Sequence, residues 1–408
     1  MEGRDISNSN DFLKRIEGKN INFLLGSGAS MPYLGSLKLN KKIKESLEDI
    51  YSMNGLSQDK KQLILLIFFE LSVKSGLITN KTLNSIGDTN KKNKFIKTNN
   101  NYKRFVNLII NLLSLQGFEK PKRANIFTTN YDTFLESAFD YESLRNPLMA
   151  FNDGSRGFIE RTVNYRNYYL NTVHSGATDY FKREIPSINL YKLHGSLSWI
   201  NKKDGEKKKD QIIISDFKNL NISRINSTVK KLDQCSSLDK LISLVQCAET
   251  TTTFVNKLDS YINSNNSIPN LLDKFEKAYS KLLIVSPNKR KFYDTVFENQ
   301  YYQMLRAFAN ELEKKNSVLI VLGFSFKDKH ILDILQRSIT NPTLQIFVVA
   351  YKEEDKIFIE SRITQFNSHV YFIKKNKRNG DFCLLNEFLD NQITSEQQPK
   401  EDEECSNE

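Results

Sequence analysis

The sequence predicts a doubly wound α/β fold on a mostly parallel sheet, a Rossmann-like core with helical insertions. Two observations carry this. Short runs rich in β-branched and aromatic residues alternate with helix-period segments along the chain. Most of these runs are apolar at successive rather than alternate positions, the pattern of strands that helices cover on both faces.

The first run, Ile21 to Leu25, leads into Gly26-Ser27-Gly28-Ala29-Ser30 and then a helical stretch. Glycines at such a place bring backbone amides close to a diphosphate at a helix N-terminus. Leu37 to Glu119 is lysine-rich and helical, ending in Tyr102 to Leu115 with Phe105, Leu108, Ile109, Leu112 and Leu113 at helical spacing. The second run, Asn125 to Thr128, ends in Thr129-Asn130-Tyr131-Asp132. Asp132 there is placed either to stabilise positive charge or to cap the helix starting near Thr133. The third, Ile188 to Leu193, ends in His194-Gly195-Ser196. Asn201 to Lys281 contains a short strand, Ile212 to Ser215, and a helix-like stretch, Leu238 to Val245; Trp199, Tyr191 and Phe217 read as packing beneath it.

Leu282 to Ser286, Val318 to Leu322, Leu344 to Ala350 and Val370 to Ile373 complete the strands. Between the first two lies a helix, Tyr301 to Leu312, with Met304, Leu305, Phe308 and Leu312 on one face. His330 opens the helix Ile331 to Leu335, which favours a structural role for it. Ligands in open α/β sheets collect at the C-terminal ends of strands, so the motif segments share one pocket if their strands are parallel neighbours.

With 408 residues, core size is not limiting, and the pattern divides the chain into a core of residues 1–36, 120–200 and 282–375 with insertions at 37–119 and 201–281. A C-terminal helix, Leu384 to Leu389 within 376–394, precedes an acidic tail, 395–408, of disordered composition. No run of about 18 apolar residues occurs and Met1-Glu2-Gly3-Arg4-Asp5 has no signal-peptide pattern, so a cytoplasmic protein with no membrane partner is expected. The four cysteines, Cys235, Cys247, Cys383 and Cys405, form no CxxC pair, so neither a zinc ribbon nor a disulfide framework is expected.

The net charge of +11 is uneven: from Asn391 onward six acidic residues face one lysine, leaving +16 on residues 1–390. Lysines gather at Lys91 to Lys97 and Lys202 to Lys209 in Asn-, Asp- or Gly-rich surroundings that read as solvated loops, with nucleic acid as the other partner such a surface admits. A glycine pair after a strand is a weak signal by itself. The dehydrogenase fingerprint also asks for a third glycine, where this chain has Met31, and for an acidic residue closing the second strand, which is missing; hydride transfer is disfavoured.

Taken in order, Gly26-Ser27-Gly28-Ala29-Ser30, Thr128-Thr129-Asn130-Tyr131-Asp132, Leu193-His194-Gly195-Ser196 and Leu322-Gly323-Phe324-Ser325-Phe326-Lys327-Asp328 resemble the sirtuin superfamily, in particular the zinc-less sirtuin-like proteins of bacterial anti-phage systems. Those are similar to enzymes that split NAD rather than deacylate proteins. The resemblance implies that Gly26, Ser27, Gly28, Ala29 and Ser30 approach the diphosphate. It also implies that Asn130 and Asp132, beside Thr129, position the nicotinamide ribose, that His194 is the catalytic histidine, and that Gly323 and Ser325 hold the adenosine side. Two departures set the chain apart from deacylases: Met31-Pro32-Tyr33-Leu34 stands where they carry Asp-Phe-Arg, and the Cys-poor insertion 201–281 replaces their zinc module.

The implied activity is NAD hydrolysis to nicotinamide and ADP-ribose, with NAD as substrate and no metal cofactor, as an effector that depletes NAD. Such chains resemble those that work beside a HerA-type hexameric ATPase, and the insertions are expected to make homo-oligomer contacts. The chemistry suits the residue types. Departure of nicotinamide leaves an oxocarbenium-like ribose, His194 can accept a proton from a ribose hydroxyl or through it from water, and Asn130 can only orient. A protein deacylase, an ADP-ribosyltransferase, and a nucleotide-sensing or nucleic-acid-binding subunit without catalysis are the alternatives.

Overall fold

A computed structural model describes residues 5–35, 42–43, 45–79, 81–117, 122–178, 182–202, 211–215, 219–285, 295–363, 369–375 and 378–390, without the side chains of 244–246 and 295–298. Ser286, Phe217, Cys405, the lysines of 203–209 and the acidic tail lie outside the described residues.

The chain forms an α/β fold on an eight-stranded sheet. Its strands are β1 (Asp5–Ile6), β2 (Asn20–Leu25), β3 (Arg123–Thr128), β4 (Ala150–Asn152), β5 (Ser187–Lys192), β6 (Ser317–Leu322), β7 (Gln345–Val349) and β8 (Val370–Ile373). They lie in the order β1-β8-β7-β6-β2-β3-β5-β4, and every pairing is parallel. Six of the seven expected strands therefore sit in the interior of one sheet, while the two-residue β1 and three-residue β4 at its edges are too short to leave a pattern in the sequence.

Alternate residues of each central strand enter two different cores. Ile21, Phe23 and Leu25 pack with helices Ser9–Ile16, Thr89–Leu115, Phe134–Ser143 and Phe382–Leu389. Leu24, Leu319 and Val321 pack on the opposite face with helices Thr295–Glu313, Lys329–Ser338 and Glu353–Arg362. Burial on both faces explains the continuous apolar runs. A small antiparallel sheet, which joins Trp199–Lys202, Gln211–Ile214, Arg161–Val163 and Ser155–Arg156, leans on the second core through Trp199 and Ile212.

From the two insertions, helices Leu47–Tyr51 and Gln58–Phe68 share a third core with Leu220–Cys235, Thr251–Ile262 and Ile268–Tyr279, whereas Thr89–Leu115 covers the sheet. Two expectations are corrected. Lys91 to Lys97 lie in the first turns of that long helix rather than in a loop, because Asp88 caps it and Phe95, Thr98 and Tyr102 supply a buried stripe. Leu282 to Val285 is buried but joins no sheet; its backbone bonds instead to the loop after β5. Among the described residues, no helix is long and apolar enough to cross a membrane.

Inside the sheet runs a row of buried amides. Asn189 on β5 donates to Asn125 on β3 (3.0 Å), Asn125 donates to Asn22 on β2 (2.9 Å), and Asn22 donates to Ser317 Oγ on β6 (3.0 Å). These asparagines are paired in the ladder, Asn22 with Asn125 and Asn125 with Asn189. Strands that are apolar throughout carry little information about axial position, and polar groups that must find each other supply it. Asn125→Ala strands Asn22 Oδ1 and Asn189 Nδ2, each at about 1–3 kcal/mol, so denaturant unfolding is expected to show a loss of about 2–4 kcal/mol. A loss below about 1 kcal/mol would mean the row does not hold the sheet.

Candidate functional site

Because β6, β2, β3 and β5 are consecutive and parallel, the segments following them emerge side by side at one edge. From β2 the chain builds β3, β5 and β4 on one side and later β6, β7 and β8 on the other, so the loops after β2 and β6 flank the switch point of the sheet. Open α/β sheets bind ligands at that place.

Those two loops touch through glycine. A Cβ on Gly26 would stand 2.4 Å from Gly323 O, and one on Gly28 2.7 Å from Gly323 Cα. Gly323 itself has φ +65°. Gly26 N donates to Leu322 O (2.9 Å), Gly28 N to Gly323 O (3.0 Å) and Ala29 N to Gly26 O (3.0 Å). Three of the amides expected to face a diphosphate, those of Gly26, Gly28 and Ala29, are thus already bonded, and Ser27–Ser30 form a single 3-10 turn ahead of Pro32 rather than the start of an α-helix. What this edge offers a ligand is close approach to backbone, with Ser27, Gly28 and Ser325 exposed along its rim.

Beneath the rim lies a closed polar network. Ser30 Oγ donates to Asp132 Oδ2 (2.7 Å) and so accepts from Asn130 Nδ2 (3.1 Å) and the Tyr102 hydroxyl (2.9 Å). Asn130 is further fixed by its N–H to Thr128 Oγ1 (3.0 Å), and Thr129 N extends the ladder to Leu25 O (3.0 Å). Burial, and then the charge of Asp132, hold the Tyr102 hydroxyl well above the usual tyrosine range, which keeps it a donor. Asp132 spends its other oxygen on Phe134 N (3.3 Å). Of the two roles expected for this carboxylate, the bond from Phe134 N suits the helix cap: Asp132 is buried, braces the start of Phe134–Ser143, and is linked to Asn130 through Ser30.

Lys192, at the end of β5, is buried with its ammonium on the carbonyl of Asp132 and 3.3 Å from Glu136 Oε1. Desolvation nevertheless outweighs that cation and raises both the Asp132 and Glu136 carboxyls above their ordinary values. Glu136 Oε2 is buried without a hydrogen bond, which accounts for its share.

His194 sits on a loop held from below. Its carbonyl accepts from Val285 N (2.8 Å), Ser196 N donates to Leu283 O (3.2 Å), and Gly195 between them has φ +82°. The Tyr131 ring lies beside the imidazole, with centroids 6.4 Å apart, and its hydroxyl donates to Val285 O (2.7 Å). His194 Nε2 lies 3.0 Å from Asp328 Oδ2, an ion-pair approach rather than an aligned hydrogen bond.

All four motif segments are thus joined: the glycines to each other, Ser30 to Asn130 and Asp132, and His194 to the loop that carries Gly323 and Ser325. Tyr102, Tyr131, Lys192, Glu136 and Asp328 were not singled out as site residues. Lys192 breaks an otherwise apolar strand end and Asp328 opens a helix, and these are the signals that could have marked them. Glu136 and Tyr102 left none, being ordinary helix residues until the strands pair. His174 and His330 are exposed, Trp199 is buried in the core, and among the described residues no group of three or more His, Cys, Asp or Glu is placed to hold a metal ion.

Residues 124–234 match the family model described as SIR2-like domain, about a quarter of the chain. The match contains Asn130, Asp132 and His194, and it stops short of the glycine turn and of the loop after β6. Comparison with curated proteins returns no match.

Two carboxyls with raised folded-state values favour the folded protein below the ordinary carboxylate range, and that contribution is lost as pH rises through the raised values. Unfolding of Glu136→Gln followed from about pH 4 upward is expected to show a smaller decline than the unsubstituted chain. Parallel curves would contradict the assignment.

Proposed function

We propose that the protein cleaves NAD to nicotinamide and ADP-ribose in the crevice above β6, β2, β3 and β5. The observation that carries this is the convergence of the Asn130 and His194 loops with the paired glycine loops at the switch point, within a chain that matches a SIR2-like domain over the segment holding both side chains. The rim of Ser27, Gly28, Gly323 and Ser325 would admit the diphosphate and adenosine side, and Asn130 and His194 the nicotinamide ribose.

In this scheme the bond between ribose C1′ and nicotinamide breaks, nicotinamide leaves as a neutral ring, and water adds to the oxocarbenium-like carbon and gives up a proton. His194 takes that proton, directly or through a ribose hydroxyl. Asn130, its amide nitrogen fixed on Ser30, turns Oδ1 toward the ribose or water and lowers the barrier by orientation. Asp132 and Tyr102 hold Ser30, and through it Asn130. Acyl-lysine deacylation is disfavoured by Met31-Pro32-Tyr33-Leu34 and by the absence of paired cysteines in 201–281. Zinc is not required in this scheme. The reading extends to an effector that depletes NAD in anti-phage defence, with control by self-assembly and by a HerA-type ATPase; both rest on the resemblance alone.

The test is product analysis after incubation with NAD and no acyl substrate. Nicotinamide and ADP-ribose are expected, and His194→Ala should lower their formation by about 10²–10⁴-fold with melting unchanged. Equal turnover in His194→Ala, or products only when an acylated peptide is added, would refute the proposal.

A further inference from the structure

Asp328 is built for more than a helix end. Its Oδ1 caps helix Lys329–Ser338 by accepting from His330 N (2.9 Å) and Ile331 N (3.3 Å), which fixes the plane of the carboxylate and leaves Oδ2 facing His194 Nε2 at 3.0 Å. The approach to this cap is strained. Phe326, two residues earlier, has φ +55° and is held there by a fully buried ring that packs on Phe324. A bulky residue in left-handed backbone persists only where its surroundings overdetermine it. Both partners are largely shielded, with side chains 13% and 12% exposed. Among the described residues, Tyr131 lies beside the imidazole, and burial first and the charge of Asp328 next raise the Tyr301 hydroxyl. Among the described residues His194 Nδ1 has no hydrogen-bond partner, and it is not among the buried unpaired atoms as Nε2 is.

We infer that Asp328 is a positioning residue: it holds His194 in the tautomer with hydrogen on Nε2 and so leaves Nδ1 as the atom that takes up the proton. A neutral imidazole donates through one nitrogen and accepts through the other, and a carboxylate at Nε2 settles which. The short distance and imperfect alignment suit a pair that tightens when a ligand closes the crevice. Proton uptake at Nδ1 rests on the NAD cleavage proposed above; the tautomer does not.

Serine caps a helix about as well as aspartate but is too short to reach Nε2, so Asp328→Ser separates the two roles. Nitrogen-15 spectra of the ring nitrogens, with His194→Ala used to identify the signal among the four histidines, read the tautomer of the neutral ring. In the unsubstituted chain Nε2 is expected to carry hydrogen and Nδ1 to be bare, with a mixture of tautomers in Asp328→Ser. NAD turnover should fall about 10- to 100-fold in kcat, with KM and melting close to unsubstituted values. Asp328→Asn, isosteric and an equally good cap, should lose the preference as well because the charge is gone. Spectra and kcat that do not change in either variant would reduce Asp328 to a helix cap and overturn the inference. Absence of turnover in the unsubstituted chain would instead overturn the NAD reading and leave the spectral result standing.

Discussion

The axial register of four parallel strands is the constraint on which the site depends. β6, β2, β3 and β5 are apolar through most of their length, and hydrophobic burial alone is satisfied by several alignments. The amides of Asn189, Asn125 and Asn22 and the hydroxyl of Ser317 remove that freedom, since each buried donor must meet its acceptor on the neighbouring strand. A slip of one residue would also turn every side chain to the other face and exchange the two cores. With register fixed, the strand ends are level, and the loops beyond them meet.

What meets there is backbone with backbone and charge with charge. Gly26, Gly28 and Gly323 let the loops after β2 and β6 come within hydrogen-bond distance, closer than any side chain would allow. The loops after β3 and β5 are joined by Lys192 on the carbonyl of Asp132 and by Leu197 N on Tyr131 O (3.1 Å). Asp132 and Glu136 are strained by burial, and Lys192 offsets part of that cost. The helical module enters through Leu282 to Val285, whose backbone holds the His194 loop while its side chains divide between the second and third cores.

Much of this was legible in the sequence because the central strands are fully buried and the motif residues follow them directly. Glycine at 26, 28 and 323 and histidine at 194 stand at strand ends, where the fold puts ligands. Other parts depend on contacts between segments far apart in the chain. Nothing local says that Gln58–Phe68 packs on Ile268–Tyr279, that Tyr102 reaches Ser30, or that Asp328 faces His194. The bonding within the glycine turn is hidden for a related reason: the acceptors of Gly26 N and Gly28 N, Leu322 and Gly323, lie almost 300 residues away. Leu282 to Val285 has the composition of a strand and the burial of one, but the sheet it would extend is already closed by others.

The proposed dinucleotide site is formed by the paired glycine loops together with the Asn130 and His194 loops. A crystal structure of His194→Ala grown with NAD tests this. Diphosphate is expected along Gly28 to Ser30 and Gly323 to Ser325, with the nicotinamide ribose against Asn130 and the gap left by the imidazole. NAD bound elsewhere on the molecule, or a crevice that stays empty at saturating NAD, would contradict it.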